Sequence, residues 1–251
     1  MTSNFEKVVE FNKTFGLPHY DTRQTNLFDE NPKLVNLRYS LIQEEIEELN
    51  EAFVTHNFIE VIDALTDILY VVYGAASSFG YDMNDSYFEL RDDKIMTKTL
   101  FENCQVEVPG QYEGEIGKFY ESQTGNNYLN ILKQLLSQLE ISVQNKEYNN
   151  FVKLSVEILD FTYRLGHYYK IDLNKSFDIV HSSNMSKVCK TEAEAEQTVF
   201  WYKDNETRYD SPDYRLTDDK TRYVVYNQST GKILKSINYV AANFDCMIKW
   251  G

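Results

Sequence analysis

Acidic side chains continue an apolar stripe along one face of a predicted helix. Leu34, Leu37 and Leu41 are followed, at steps of three or four residues, by Glu45 and Glu48. Such steps place side chains on the same helical face. A solvated run of charge would lie opposite the apolar stripe, so the spacing predicts that Glu45 and Glu48 face the protein interior.

The next predicted helix carries three more carboxylates. Glu60, Asp63 and Asp67 lie at positions i, i+3 and i+7 of a segment that is apolar nearly all round and is therefore expected to be buried. Neither 44–52 nor 59–72 contains a lysine or arginine that could neutralise this charge, and burying ionised carboxylates without partners is costly. The set predicts a hard divalent cation, Mg²⁺ with Mn²⁺ as a substitute, which takes oxygen ligands from protein, water and substrate phosphate.

Composition excludes several classes of partner. The chain has 251 residues and a formal net charge of −14, which argues against nucleic acid or an anionic membrane as the main partner. Cys104, Cys189 and Cys246 form no CxxC pair, so neither a disulfide framework nor a thiolate zinc site is expected. No apolar run approaches the roughly 18 residues of a spanning helix. We therefore expect a soluble cytoplasmic protein.

Helical spacing prevails over most of the chain, and a mostly α fold is predicted. A capping box at Ser3-x-x-Glu6 and the pair Asn31-Pro32 mark two helix starts. The tail is predicted as a small α+β appendage with a β-hairpin, its strands at 221–226 and 232–239, preceded by a loop at 209–220. Helices are predicted at about 3–15, 32–55, 58–78, 84–95, 128–145, 149–169, 174–185 and 191–202.

The two helical blocks resemble one another, which indicates a duplicated helical hairpin. The segment that begins at Asn57-Phe58 can be laid over the segment that begins at Asn150-Phe151, and Tyr81-Asp-Met-Asn84 matches Ile171-Asp-Leu-Asn174. Four parts are predicted: a catalytic helical repeat at 1–98, a connecting loop at 99–125, a degenerate second repeat at 126–190 and the appendage at 191–251.

An ungapped alignment of the repeats replaces the glutamates of the first block. Ser137, Gln138 and Ile141 stand where the first repeat has Glu44, Glu45 and Glu48, and only Glu157-Ile-Leu-Asp160 keeps paired acids. One complete site per chain is expected.

Together these residues resemble a known superfamily. Glu44-Glu45-Ile-Glu-Glu48 is an EExxE motif, and with the downstream Asp63-Ala-Leu-Thr-Asp67 it is similar to the all-α nucleoside triphosphate pyrophosphohydrolases, which include MazG-like proteins, dimeric dUTPases and phosphoribosyl-ATP pyrophosphohydrolases. His181-Ser-Ser-Asn184-Met-Ser-Lys187 looks most like the phosphoribosyl-ATP pyrophosphohydrolase-like members. The resemblance implies a four-helix bundle of two hairpins, usually from different subunits, in which EExxE and a downstream ExxD hold Mg²⁺.

The resemblance also implies roles for individual carboxylates. If Asp67 is the aspartate of ExxD, Ala64 occupies the glutamate position, and the missing ligand comes from Asp63 or Glu60. In the alternative frame, Glu60-Val-Ile-Asp63 is itself ExxD. Glu44 and Glu60 are further candidates for supporting groups or for the base that orients water. The implied metal ligands are Glu45, Glu48, Glu60, Asp63 and Asp67, and the implied catalytic set is Glu44, Glu45, Glu48 and Asp67.

Phosphate contacts are implied for the later residues of the chain. Asn184 and Lys187 belong to the shared motif, although Lys187 could instead be a cation that favours a helix C-terminus. Lys232 and Lys235 lie in a stretch that looks like the tails of such proteins. Lys98, the repeat counterpart of Lys187, completes the candidate substrate-binding set, but its substitution is expected to be nearly silent.

Two neighbouring side chains have a simpler interpretation. Tyr70 is expected to be a core aromatic residue, with base stacking as an alternative. His181 is expected to be a partly exposed, hydrogen-bonded histidine.

The sequence therefore predicts a Mg²⁺-dependent enzyme that cleaves the α–β phosphate bond of an NTP, a dNTP or a related nucleotide such as phosphoribosyl-ATP. It would act as a monomeric pseudo-dimer or a homodimer. The alternative is a non-catalytic regulatory protein that binds nucleotide or metal on the same fold.

Overall fold

A computed structural model describes residues 2–83 and 123–247 of the chain. The predicted helix at 84–95 and Lys98 lie outside the described residues. Most described residues are helical, which confirms the mostly α fold. The elements are α1 (Asn4–Thr14), α2 (Leu27–Glu30), α3 (Pro32–Val54), α4 (Phe58–Phe79), α5 (Gln123–Gln144), α6 (Tyr148–Tyr168), α7 (Leu173–Met185), α8 (Glu192–Asn205), β1 (Pro212–Leu216) and β2 (Tyr223–Asn227).

The predicted helix starts are confirmed by their caps. The Ser3 hydroxyl accepts from the backbone N–H of Glu6, whose carboxylate accepts from the Ser3 N–H. The Asn31 side chain accepts from the N–H of Leu34, with Pro32 at the first helical position. Each cap satisfies a donor that the first helical turn leaves unpaired.

Four long helices form the bundle. The α3–α4 hairpin packs against the α5–α6 hairpin, with α4 against α6 and α3 against α5. Both α1 and α7 pack on α4 as well, so α4 is covered on several sides. This confirms that α4 is a buried helix. Of its three carboxylates, Asp63 and Asp67 are partly buried, whereas Glu60, which was expected to be buried with them, is exposed near the start of the helix.

The two hairpins share their turn conformations. His56 and Lys146 both have left-handed backbone (φ 57° and 59°) at the tip of their hairpins. The residue after each closes the turn in the same way, because Asn57 N–H donates to the Ala52 carbonyl and Glu147 N–H to the Ser142 carbonyl. These matched turns support the duplication inferred from sequence.

Matched turns also follow the second helix of each hairpin. Gly80 (φ 72°) and Lys170 (φ 55°) are both left-handed. Glycine is required at the first of these positions, since a Cβ on Gly80 would lie 1.9 Å from the carbonyl oxygen of Thr22.

The helix α5 begins earlier than predicted. The connecting loop was expected to extend to residue 125, but α5 starts at Gln123. Gly125 had been interpreted as a loop residue, whereas it serves close packing: a Cβ there would lie 1.5 Å from the hydroxyl of Tyr169.

The appendage contains a β-hairpin, but its strands are not those predicted. The strand β2 pairs antiparallel with β1, which lies inside the expected loop at 209–220. The turn at Asn-Gln-Ser-Thr-Gly does form, yet the segment after it contributes only an isolated bridge between Tyr226 and Ile233. The strand β1 was not predicted because the turn that joins it to β2 is polar and was interpreted as part of a loop. The Asp219 carboxylate stabilises this turn by accepting hydrogen bonds from Thr217 and Thr221.

The appendage has a small core of its own, built from α8, β2 and the segment after it. It contacts the bundle through hydrogen bonds, including one from Arg215 to the carbonyl of Phe15. Among the described helices, none combines the length and apolarity needed to cross a membrane.

Candidate metal and phosphate site

The deepest carboxylates of the acidic cluster are Glu45 on α3 and Asp67 on α4. Burial, followed by the charge of Asp67, raises the pKa of Glu45 to about 9. One of its carboxylate oxygens, Oε2, is buried and has no hydrogen-bond partner. Such an orphaned oxygen is costly to bury. The EExxE and downstream acids are therefore brought into one cluster, as the sequence predicted. The prediction that Glu48 faces the protein interior is wrong, because its side chain is exposed at the edge of the bundle.

Asp63 and Asp67 lie one turn apart on the same face of α4. Burial, followed by the charge of Asp63, raises the pKa of Asp67 to about 7. Burial and the charge of Glu60 raise the pKa of Asp63 to about 6. Both aspartates thus lie among the glutamates, and either ExxD frame keeps its members in one cluster.

The remaining glutamates surround the entrance to this cluster. Glu48 is exposed, and desolvation of its carboxyl group together with the charge of Glu44 raises its pKa. Glu44 and Glu60 are also exposed. Glu47 lies on the surface, where it accepts a hydrogen bond from Gln43.

A basic edge faces the acids from the other side. The charge of Lys187 opposes the rise in the pKa of Asp67, and the charge of Lys235 does the same for Asp63. The Nζ atom of Lys187 donates to Oδ1 of Asn184 at 2.6 Å, and burial lowers the pKa of Lys187. Lys232 lies near enough to lower it further. These four predicted phosphate contacts therefore converge with the carboxylates.

The carboxylate oxygens of the cluster are of the type that binds a hard cation, but they are too far apart to bind one ion in their present rotamers. In residues 2–83 and 123–247, no three Asp, Glu, His or Cys side chains are close enough to hold one ion as they stand. Like charges repel when no cation is present, so rotation of the carboxylates toward an ion is required. The oxygen-only ligands and the orphaned Glu45 Oε2 suit Mg²⁺.

The matched turns correct the alignment of the two repeats. Counted from His56 and Lys146, or back from Gly80 and Lys170, Asp67 corresponds to Glu157 and Tyr70 to Asp160. The ungapped alignment was shifted by three residues, and a shift of nearly one helical turn preserves the apolar spacing. The positions of the acidic cluster, Glu44, Glu45, Glu48, Glu60, Asp63 and Asp67, are held in the second half by Gln134, Leu135, Gln138, Asn150, Lys153 and Glu157.

The second half therefore lacks a comparable site. Leu135, at the position of Glu45, is buried in the core. Glu157 pairs with Lys153 at 3.9 Å, and the buried Asp160 accepts from Nε of Arg164 at 2.7 Å. The paired acids of Glu157-Ile-Leu-Asp160 were aligned wrongly with the first repeat, because Asp160 stands where the first repeat has Tyr70 rather than an acid.

The sequence did not indicate the hydrogen bond between Tyr70 and His181. Tyr70 is a core aromatic residue, as expected, but its hydroxyl lies 3.1 Å from Nδ1 of His181. The signal available in the sequence was the position of Tyr70 one turn after Asp67, which by itself indicates only a shared helical face.

Comparison with known proteins agrees with this site. Residues 8–94 match the family model described as phosphoribosyl-ATP pyrophosphohydrolase. This segment begins within α1, includes α2 to α4 and carries all six carboxylates of the cluster. The match over these residues is consistent with the all-α nucleoside triphosphate pyrophosphohydrolase superfamily, and it supports an activity of the nucleotide pyrophosphohydrolase type in general.

A relative covers almost the whole chain. It is "Uncharacterized protein L479" of Acanthamoeba polyphaga mimivirus, which is 36% identical over 250 residues, covering 98% of this chain and 96% of the viral protein. The similarity thus includes the second repeat and the appendage. No solved structure matches the chain.

Proposed function

We propose that this protein hydrolyses the α–β phosphate bond of a nucleoside triphosphate, or of a related nucleotide such as phosphoribosyl-ATP, to a monophosphate and pyrophosphate with the help of Mg²⁺. The observation that carries the proposal is the unneutralised acid pair at the bottom of the cluster. Burial raises the pKa of both Glu45 and Asp67. The charge of Lys187 opposes the rise in the pKa of Asp67 without cancelling it, so the acid pair keeps the character of a cation site.

Each group in the site has a chemical task in this reaction. Glu45 and Asp67 would hold the ion at the bottom of the cluster, with Glu48 and Asp63 nearer the entrance. When bound, Mg²⁺ supplies charge neutralisation at the phosphates and activation of water. Glu44 or Glu60, both exposed at the entrance, would accept the proton of the attacking water.

The basic edge would bind the leaving pyrophosphate. Lys187 and Asn184 lie at the deep end, and Lys235 lies at the level of Asp63. A lysine is a compact charge with three donors, which suits phosphate oxygens. The triphosphate would thus lie between the acidic face of the bundle and the cations at the end of α7 and in the appendage.

The test is an assay of purified protein with a panel of NTPs, dNTPs and phosphoribosyl-ATP, with Mg²⁺ and with EDTA. We expect at least one nucleotide to yield equal amounts of monophosphate and pyrophosphate, with no turnover in EDTA. Asp67→Asn should be inactive, and the matched variant Glu157→Gln should be active. Release of orthophosphate alone, or full activity in EDTA, would contradict the proposal. Tight nucleotide binding without turnover would instead identify a binding protein on this fold.

A further inference from the structure

The segment that follows β2 returns to the bundle and lies against the last turn of α7. The hydroxyl of Ser236 donates to the carbonyl of Ser186 at 3.1 Å, and the N–H of Val240 donates to the hydroxyl of Ser186 at 2.9 Å. Ser186 directly precedes Lys187 in the chain. The appendage therefore holds the backbone from which the side chain of Lys187 extends.

Tyr239 lies in this segment and contacts both α7 and Lys235. Its hydroxyl accepts from the hydroxyl of the buried Ser183 at 3.0 Å, and its N–H donates to the carbonyl of Ser236 at 3.0 Å. The Nζ atom of Lys235 lies 4.5 Å from the centroid of the Tyr239 ring, inside the range of about 6 Å in which an aromatic face attracts a cation. Two hydrogen bonds thus hold the tyrosine, and its ring holds the ammonium group.

The side chain of Lys235 is held at its base and at its charged end. Its backbone N–H donates to the hydroxyl of Tyr202 at 3.1 Å. The side chain is exposed, and a long exposed side chain normally samples many rotamers. Among the described residues, the ring of Tyr239 is the group that holds the charged end, and the charge acts on Asp63 and on Lys187.

We infer that Tyr239 is a positioning residue that holds the ammonium group of Lys235 at the end of α7, near Lys187, and thereby completes the basic edge of the phosphate site from the appendage. The bond between Tyr239 and Ser183 links the two lysines, since Ser183 adjoins Asn184, which accepts a hydrogen bond from Lys187. The effect on turnover rests on the proposed function, whereas the contacts of Tyr239 do not.

Steady-state kinetics test the role in substrate binding. Tyr239→Leu removes the aromatic face, so we expect KM for the triphosphate to rise about 2- to 5-fold, the range for a cation on an exposed ring, with kcat and the Mg²⁺ requirement unchanged. Tyr239→Phe keeps the ring and should stay closer to the wild type. Adding Tyr239→Leu to Lys235→Ala should cause no further loss, because both remove one contact.

The matched control is a second partly buried tyrosine of the appendage. The hydroxyl of Tyr214 bonds Glu192 on α8 at 3.1 Å, and Tyr214→Leu should leave KM unchanged. Tyr239 itself is partly exposed and belongs to neither hydrophobic core, so its substitution leaves both cores in place.

Chemical labelling tests the contact without any turnover. Acetylation of lysines by a succinimidyl ester, followed by mass spectrometry, should label Lys235 about 2- to 5-fold faster in Tyr239→Leu than in the wild type, because the amine has to leave the ring to react. Lys33, which is exposed at the start of α3, is the internal reference and should not change. Inorganic pyrophosphate with Mg²⁺ should slow the labelling of Lys235 in the wild type.

The two arms separate the failure of each idea. Faster labelling of Lys235 in Tyr239→Leu, without pyrophosphate release from any nucleotide, would support the contact and overturn the enzymatic function. Equal labelling of Lys235 in wild type and Tyr239→Leu would overturn the positioning role, as would additive KM effects in the double variant. If pyrophosphate left the labelling of Lys235 in the wild type unchanged, neither Lys235 nor Tyr239 would belong to the phosphate site.

Discussion

In the second hairpin the buried acid Asp160 lies 2.7 Å from the guanidinium nitrogen of Arg164, whereas the ion pairs of the described residues include neither Glu45 nor Asp67 of the first hairpin. Both hairpins close with the same left-handed turns at His56 and Lys146. The two hairpins thus share a backbone conformation but differ in their buried charge. In the second hairpin an arginine neutralises the buried acid, whereas in the first hairpin the acids of the cluster have no ion-pair partner among the described residues. The comparison indicates that the hairpin can fold without the acidic cluster of the first hairpin, so the cluster is not required for the fold.

The largest expected effect is the loss of turnover in Asp67→Asn. Removing a deep metal ligand should lower kcat by more than about 100-fold, while Glu157→Gln, at the corresponding position of the second hairpin, should stay within about 2-fold of wild type. Pyrophosphate release at saturating Mg²⁺ measures both. If Glu157→Gln were as damaging as Asp67→Asn, the second hairpin would have to contribute to the site, and the contrast between the copies would fail.

The reverse contrast should appear in stability. Asp160→Asn leaves Arg164 without its buried partner and should lower the free energy of unfolding by about 3 kcal/mol, whereas Asp67→Asn relieves repulsion and should leave the metal-free protein as stable or more stable. Urea denaturation in EDTA gives both values. A metal-free Asp67→Asn protein that unfolds much more readily would show that the charge of Asp67 is structural.

The open cluster should also make stability depend on pH. The pKa values of Glu45, Asp63 and Asp67 are raised by burial, to about 9, 6 and 7, so the folded chain binds more protons than the unfolded chain above the ordinary carboxyl value of about 4. Stability in EDTA should therefore fall as pH rises from about 4 to about 9.

Melting temperatures across this pH range, in EDTA and in Mg²⁺, check the sign. The Tm of Asp67→Asn should fall less with pH than that of the wild type, and saturating Mg²⁺ should raise the Tm of the wild type mainly at high pH, since it binds the ionised form. If the Tm of the metal-free protein rose between neutral and alkaline pH, ionisation of Glu45, Asp63 and Asp67 would not destabilise the fold, and the prediction would be wrong.

A smaller effect is expected at the basic edge. Lys187→Ala should raise KM for the triphosphate about tenfold, leaving the Mg²⁺ requirement intact, because a phosphate contact is lost while the carboxylates remain. Lys153→Ala, the lysine that pairs with Glu157 in the second hairpin, is the control and should leave KM as it is. A shifted metal requirement in Lys187→Ala would place this lysine among the groups that shape the cation site.

The smallest effect is expected for the ion pair between Lys153 and Glu157. At 3.9 Å, with Lys153 more than half exposed, the pair should contribute less than about 0.5 kcal/mol. A double-variant cycle with Lys153→Ala and Glu157→Gln measures the coupling. A coupling energy above about 1 kcal/mol would mean that the stability of the second hairpin, like the proposed site of the first, depends strongly on charged residues at this position of the helix.

Sequence was most informative where local signals and burial agree. The caps at Ser3 and Asn31 determined where helices begin, and the apolar surroundings of Asp67 showed that its carboxylate is buried. Lys187 and Asn184 were matched to the site only through the family motif, because their distance from Asp67 in the chain is bridged by packing of α7 on α4.

The errors in the repeat alignment and in the strand pairing have a common cause. Both depend on how segments are placed relative to one another, which local sequence patterns do not determine. The position of Asp160 was misassigned because periodicity is insensitive to a shift of about one turn, and only the turn conformations at His56 and Lys146 fix the register. The strand that pairs with β2 was missed because the turn around Asp219 is polar and resembles a loop. The hydrogen bond between Tyr70 and His181 could not be predicted, because it depends on the tertiary packing of α7 on α4.

The presence of both hairpins on one polypeptide has a consequence for assembly. A bundle built from two separate chains has a stability that depends on protein concentration and is lost on dilution. Here α3–α4 and α5–α6 are joined covalently, so their docking is an intramolecular event with a fixed effective concentration. We therefore expect the docking of these two hairpins to be independent of protein concentration, even when the chain is present in very few copies.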